Sequence, residues 1–231
     1  MPPLPADTAE IQKRLLSLVG FADAVNHHYG VAVEYAVGLH RAVLTRRPQT
    51  MVEIGMANGA ASLAILSALA QLGGDRKLIS IDPYQSKQWN SAGLKNVAAN
   101  GYAGRHRLIE EPDYLALPEL ARQGLALDAA YVDGKHSFEY VLLDFFYLDK
   151  LLAVGGIIGF NDCGWTTVRQ VLRFVVTNRK YTEIEVGLRP NYRGRNPAAT
   201  LGRRVLNQVN NDRWFTKTAV WEPAGTGNLA Y

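Results

Sequence analysis

The feature that most constrains this chain is an alternation of strand and helix patterns from residue 51 to residue 178, in which short apolar runs end in glycine, an acid or an amide and a helical stretch follows. Met51-Val52-Glu53-Ile54-Gly55 reads as a strand, and Ala60 to Leu72 as the helix after it. Lys77 to Ile81 ends at Asp82-Pro83 and leads to a helix near Ala92 to Asn100. Arg107 to Ile109 precedes a helix over Tyr114 to Arg122, and Leu127 to Val132 ends at Asp133-Gly134 before a helix over Phe138 to Leu152. Gly155-Gly156 closes that helix. Ile157 to Phe160 then ends at Asn161-Asp162, with a last helix from Thr166 to Thr177. Strands this continuously apolar need cover on both faces, so the pattern predicts an α/β fold with a parallel sheet between helical layers.

The ends of the chain break the rhythm. Two helical patterns open it, Asp7 to Gly20 and Val31 to Arg47, the second stopped by Pro48. After residue 178 come two strand patterns, Glu183 to Leu188 and Phe215 to Trp221, joined only by a polar stretch rich in Gly, Pro and Arg. With no long helix between them, the pair is expected to be antiparallel at the sheet edge. The expected division is a helical extension over 1–48 and a single globular unit over 49–231.

Composition narrows the setting. At 48% hydrophobic and 20% charged residues, widespread disorder is excluded. No apolar run approaches the roughly 20 residues needed to cross a bilayer, and the first residues lack the basic start and apolar centre of a secretory signal. A lone cysteine, Cys163, excludes an internal disulfide framework and is expected to be an inert thiol. A soluble, cytoplasmic protein is the expectation. Charge is uneven: residues 151 to 231 hold 11 Lys/Arg against 5 Asp/Glu, a balance of +6, and residues 1 to 150 hold 14 against 16, a balance of −2. Arg189, Arg193, Arg195, Arg203 and Arg204 supply much of the excess. They read either as a solvated loop or as a site for an anionic group on a partner.

The strand ends suggest a site in two halves. In an open α/β sheet, ligands bind beyond the carboxyl ends of the strands. Glu53-Ile54-Gly55-Met56-Ala57-Asn58-Gly59 forms the first strand-to-helix turn, where Gly55 and Gly59 permit a tight bend and Asn58 lies within reach of a ligand. The spacing is not the Gly-x-Gly-x-x-Gly that holds a pyrophosphate on a helix N-terminus. It suits an adenosyl group without phosphates, whose ribose hydroxyls Asp82 is placed to accept. Asp133, His136, Asn161 and Asp162 gather at the ends of the fourth and fifth strands. Two carboxylates and an amide oxygen are hard ligands suited to Mg²⁺, and an imidazole titrates near neutral pH, which suits a base. Lys135 competes for that role, with His136 preferred. Each group also has a structural reading: Asp133-Gly134 as a turn, Asn161-Asp162 as a helix cap, His136 as a surface cap. Trp89, Trp165, Trp214, Tyr84 and Tyr192 are candidates for lining an acceptor pocket, Trp165 first among them.

With these residues in place, the sequence resembles a known family. Val52-Glu53-Ile54-Gly55, Ile81-Asp82-Pro83, Val132-Asp133-Gly134-Lys135-His136 and Gly155-Gly156-Ile157-Ile158-Gly159-Phe160-Asn161-Asp162 look like the ordered motifs of class I S-adenosylmethionine (SAM)-dependent methyltransferases. The branch it resembles is the bacterial small-molecule O-methyltransferases that include macrocin O-methyltransferase, with catechol O-methyltransferase more distant. The resemblance implies a Rossmann-like, mostly parallel seven-stranded sheet with a C-terminal antiparallel hairpin. It implies SAM held by Glu53, Gly55, Asn58, Gly59, Asp82, Asp113 and Asp133, with Asp113 near the adenine. Mg²⁺ would be bound by Asp133, Asn161 and Asp162, and His136 would be the base. One departure is the order of Asn161 before Asp162, where catechol-type enzymes place the acid first. The acceptor implied is a small hydroxylated molecule such as a sugar, a catechol-like ring or a natural product, and the N-terminal helices suit a homodimer. The rivals are a nicotinamide-dependent oxidoreductase and a non-catalytic or RNA-directed SAM-binding protein; a membrane partner is not expected.

Overall fold

The computed structural model describes residues 7–188 and 212–222. Elements follow in the order α1 (Thr8–Leu16), α2 (Phe21–Asn26), α3 (Val33–Arg46), β1 (Thr50–Ile54), α4 (Ala60–Leu72), β2 (Lys77–Ile81), α5 (Ala92–Ala99), β3 (His106–Ile109), α6 (Asp113–Arg122), β4 (Leu127–Val132), α7 (Phe138–Leu151), β5 (Leu152–Phe160), α8 (Thr166–Asn178), β6 (Tyr181–Ile184) and β7 (Arg213–Lys217). The strands form one sheet in the order β3-β2-β1-β4-β5-β7-β6, with β7 antiparallel to both β5 and β6. The remaining pairs are parallel. The expected mostly parallel sheet with an antiparallel hairpin at its edge is therefore what forms.

Alternation along each strand sorts side chains into two cores. Met51, Leu78, Ala129, Tyr131, Ile157 and Trp214 face helices α1 to α5. Val52, Ile54, Ile79, Ala130, Val132, Ile158 and Phe215 face α6, α7 and α8. Each large apolar side chain removed from water contributes about 1.5–3 kcal/mol, so both faces need their helices. Ile11, Leu15 and Phe21, from the first two helices, are fully buried in the first core.

Three boundaries differ from the sequence reading. The chain from Asp7 to Gly20 is not one helix: α1 stops at Leu16, and Gly20, with φ 74°, starts the separate six-residue α2. The fifth strand begins at Leu152 rather than Ile157, with a register shift against β4 that absorbs Gly155 and Gly156. The last two strands are shorter and earlier, Tyr181–Ile184 and Arg213–Lys217. Arg189, Arg193, Arg195, Arg203, Arg204 and Tyr192 lie outside the described residues. Among the described residues no helix is long and apolar enough to cross a membrane.

Strand order positions the site. The chain runs outward from β1 to β2 and β3, then returns to start the other half at β4, so the topological switch lies between β1 and β4. A crevice opens beyond the carboxyl ends of strands at such a point.

Candidate active site

Backbone pairing continues one residue past four strands. Gly55 N–H donates to Ile81 O (2.9 Å), Asp82 N–H to Ile109 O (3.1 Å), Asp133 N–H to Ile54 O (2.9 Å) and Asn161 N–H to Val132 O (2.9 Å). Gly55, Asp82, Asp133 and Asn161 therefore stand at one level along the sheet's carboxyl edge.

The first turn demands its glycine. Gly55 has φ 83°, and a Cβ there would overlap the carbonyl oxygen of Asp133. Its backbone thus lies directly against the end of β4. Gly59, with φ 87°, lets the turn pack on Gly93 of α5 at 3.0 Å from where a Cβ would sit. Asp82 is turned toward this loop. Its Oδ2 accepts from the backbone N–H of Met56 (3.0 Å) and Ala57 (2.8 Å) and from Gln85 Nε2 (3.2 Å), while Oδ1 accepts from Tyr84 N–H (2.8 Å). The carboxylate that the sequence offers for a ribose thus also shapes the glycine turn. Asn58 lies on that turn, its carbonyl oxygen accepting from Asn96 Nδ2 (3.0 Å).

Glu53 points elsewhere. Its side chain is wholly enclosed, with Oε2 accepting from Ser62 and Ser80 hydroxyls at 2.6 Å each. Burial pushes its carboxyl up to about 8, against the pull of the two serines. It braces β1, β2 and α4 from inside. Asp113 is the first residue of α6, nearly buried, its Oδ1 accepting from Tyr114 N–H (2.8 Å). Burial also raises this carboxyl, and that of Asp144 of α7 beside it rises well above the usual range, through burial first and then the neighbouring Asp113. Nothing in the sequence pattern singled out Asp144, an acid on an otherwise apolar helical face.

The reacting half is drawn together as expected. His136 stands between two carboxylates, Nε2 3.5 Å from Asp133 Oδ1 and Nδ1 3.5 Å from Asp162 Oδ2. Burial raises the Asp133 carboxyl to about 6, with His136 pulling the other way. For His136, burial favours the neutral ring, but Asp133 and Asp162 together outweigh it and raise the imidazole above its ordinary value. The loop carrying His136 is tied to α8 by Thr167, whose hydroxyl donates to His136 O (2.6 Å). Trp165, more than half exposed, lies with its ring 5.5 Å from the imidazole. Lys135 instead sits over the Tyr140 ring. Cys163 is buried, its thiol pushed well up by that burial, in keeping with an inert role.

Asn161 behaves differently from its neighbours. Its side-chain Nδ2 donates to the hydroxyl of Tyr131 (3.1 Å), which donates in turn to Asp212 Oδ2 (3.0 Å). Tyr131 could have been noticed from the sequence, because it lies two residues before Asp133 and shares its face of the strand. Asp212 could not, coming out of a long polar stretch. Trp89 lies apart from this half, in ring contact with His27 (5.9 Å) and Tyr29 (5.5 Å). Trp214 is buried against Tyr131 and Tyr84 is exposed.

The donor set does not fit magnesium in this arrangement. Two oxygens sharing one Mg²⁺ at about 2.1 Å each stand no more than ~4 Å apart. Asp133 Oδ1 and Asp162 Oδ2 instead face opposite nitrogens of one imidazole ring. Among the described residues no group of three His, Cys, Asp or Glu side chains is placed to hold a metal ion.

Comparison with known proteins agrees with the fold. Residues 52–163 match a family model described as a methyltransferase domain. A putative O-methyltransferase from Klebsiella pneumoniae superposes with a TM-score of 0.66 at 16% identity, covering 94% of this chain and 93% of that one. The O-methyltransferase TomG of Streptomyces achromogenes, involved in tomaymycin synthesis and solved with SAM, gives 0.64 at 16% identity, again with 94% and 93% covered. An O-methyltransferase from Bacillus cereus in complex with S-adenosylhomocysteine (SAH) gives 0.62 at 13% identity, covering 79% and 85%. No curated protein matches the sequence. The matched segment contains the glycine turn, Asp82, Asp113 and the His136 cluster. Over residues 52–163 the chain is thus similar to a methyltransferase domain, and its fold is that of the superposed O-methyltransferases.

Proposed function

We propose that this protein transfers the methyl group of SAM to a hydroxyl of a small molecule, with His136 as the base. The observation that carries the reading is the placement of His136 between Asp133 and Asp162, beside the Gly55 turn. The likeness to O-methyltransferases solved with SAM or SAH supports it.

The adenosyl end would lie over the Gly55–Gly59 turn, with Asp82 and Asp113 on its ribose and adenine sides. SAM supplies an electrophilic methyl on a sulfonium. The acceptor oxygen attacks that carbon, the carbon–sulfur bond breaks, and its electron pair returns to sulfur to leave SAH. The hydroxyl proton passes to His136. In the neutral ring one nitrogen holds its N–H toward a carboxylate and the other is free to take the proton. The imidazolium that results stays between Asp133 and Asp162, where its charge is stabilised. No step passes through a metal. Trp165 offers a flat apolar face beside the base, which suits a ring-bearing hydroxylated acceptor.

Calorimetry with SAH tests the cofactor half: micromolar binding is expected, weakened in Asp82→Ala through loss of the turn's anchor. A screen of hydroxylated acceptors with SAM tests the rest. His136→Ala should keep SAH affinity and lose about 10²–10⁴-fold in turnover. Absence of SAH binding to the wild type defeats the whole reading, and unchanged turnover in His136→Ala defeats the base assignment.

A further inference from the structure

Tyr131, Asp212 and Trp214 form a buried polar group beneath the acceptor side of the crevice that the proposed chemistry does not use. Tyr131 is fully enclosed in β4, with its ring stacked on Trp214 at 5.6 Å and 15°. Its hydroxyl is the middle of a chain, accepting from Asn161 Nδ2 at 3.1 Å and donating to Asp212 Oδ2 at 3.0 Å. The direction is settled by the amide, because Asn161 Nδ2 can only donate and the phenol must therefore donate onward. Asp212 is almost fully buried, and its Oδ1 has no hydrogen-bond partner among the described residues.

Three buried polar groups in series have a consequence at the end that is not enclosed. Asn161 stands at the same sheet level as Asp133 and next to Asp162. A primary amide has one donor end and one acceptor end. With Nδ2 committed to Tyr131, the end left for the crevice is the carbonyl Oδ1. An unanchored asparagine would present either end, and a donor there would bind the oxygen of an ether or carbonyl as readily as that of a hydroxyl.

We propose that Tyr131 and Asp212 are positioning residues that lock the Asn161 amide with its oxygen toward the acceptor, so that a second hydroxyl or N–H of the acceptor, beside the hydroxyl that His136 deprotonates, meets a hydrogen-bond acceptor. The inference rests on the proposed reading of this crevice as the acceptor site. It also makes the site selective: a substrate presenting a hydroxyl or N–H to Asn161 is held, and one presenting only an ether or carbonyl oxygen there is not.

The test uses the full chain labelled with ¹⁵N, with the Asn161 side-chain amide signals assigned by their loss in Asn161→Asp. In the wild type these NH₂ protons should exchange slowly, because they face Tyr131 and the interior. Tyr131→Phe keeps the stacked ring and removes only the hydroxyl, and should speed exchange about tenfold, the effect of one lost hydrogen bond. Asp212→Ala should do the same by removing the onward acceptor, and Asp212→Asn, which keeps an acceptor oxygen, should restore slow exchange. That rescue separates positioning from general loosening and serves if Tyr131→Phe fails to fold. SAH binding measured in parallel should be unchanged in all of them. Fast exchange in the wild type, or exchange indifferent to Tyr131→Phe and Asp212→Ala, overturns the proposal. Loss of SAH binding by the wild type would instead strike the methyltransferase reading, and leaves the amide result to be judged by itself.

Discussion

Glu53 shows how much a single enclosed side chain weighs. Unfolded, its carboxyl releases a proton near the ordinary 4.5, and folded it does so near 8. Between those values the folded chain holds one proton more than the unfolded one. Its contribution to stability is therefore full below pH 4.5 and is lost as pH rises to about 8, by about 1.4 kcal/mol per pH unit. Glu53→Gln cannot ionise, and its stability should fall less steeply over that window. Urea denaturation of both proteins between pH 5 and 8 checks this, and parallel curves would show that Glu53 stays ionised in the fold. Residues at this scale were only partly readable from sequence. That Asp133, Asn161 and Asp162 stand at strand ends, with His136 in the loop just after one, is legible because strand direction is fixed by the fold. That Asn161 turns to a tyrosine rather than to the two acids was not readable, because it depends on Asp212 arriving from 50 residues further along the chain. Glu53 was read as a ligand contact, yet strand alternation sends it inward between Ser62 and Ser80.

Elements were easier to read than side chains. The strands β2 and β4 and the helix α4 fall where the sequence pattern put them, because a buried parallel strand has little choice but to be a continuous apolar run. The misreadings sit at glycines. Gly155-Gly156 looks like a helix stop but lies within a bulged strand, and Gly20 hides the start of a short helix. Another glycine sets how the terminal hairpin docks. Gly159 of β5 lies opposite Trp214 of β7, and a Cβ on it would come within 2.6 Å of the indole. Gly159→Ala should therefore push β7 outward and cost about 1–3 kcal/mol. Chemical denaturation would measure that loss, and a wild-type midpoint would mean the indole yields without cost. Because Trp214 stacks on Tyr131, the same change should disturb the phenol that holds Asn161.

At the scale of the whole molecule, the carboxyl edge of the sheet carries both partners of the proposed reaction. Parallel strand order alone could have been guessed from the sequence, but not the closeness of the two halves, which follows from β1 and β4 being neighbours across the switch point. The helices before residue 48 share a core with α4 and with Tyr131 and Trp214, so material from the start of the chain lies under the acceptor side as well. Arg41 of α3 links distant stretches, its guanidinium donating to Thr8 Oγ1 (2.6 Å) and to Val186 O (3.1 Å).

The missing side chain at Gly55 leaves two loops in direct backbone contact, with nothing compressible between them. A wall that thin transmits load. When a nucleoside settles on one side, the peptide on the other has no cushion, so the arrival of the methyl donor should be felt by the proton acceptor before any substrate appears. Titrating SAH while following the backbone amides of Asp133 and Gly134 should show them move in step with occupancy. If they stay still at saturation, the partition is stiffer than its thickness implies.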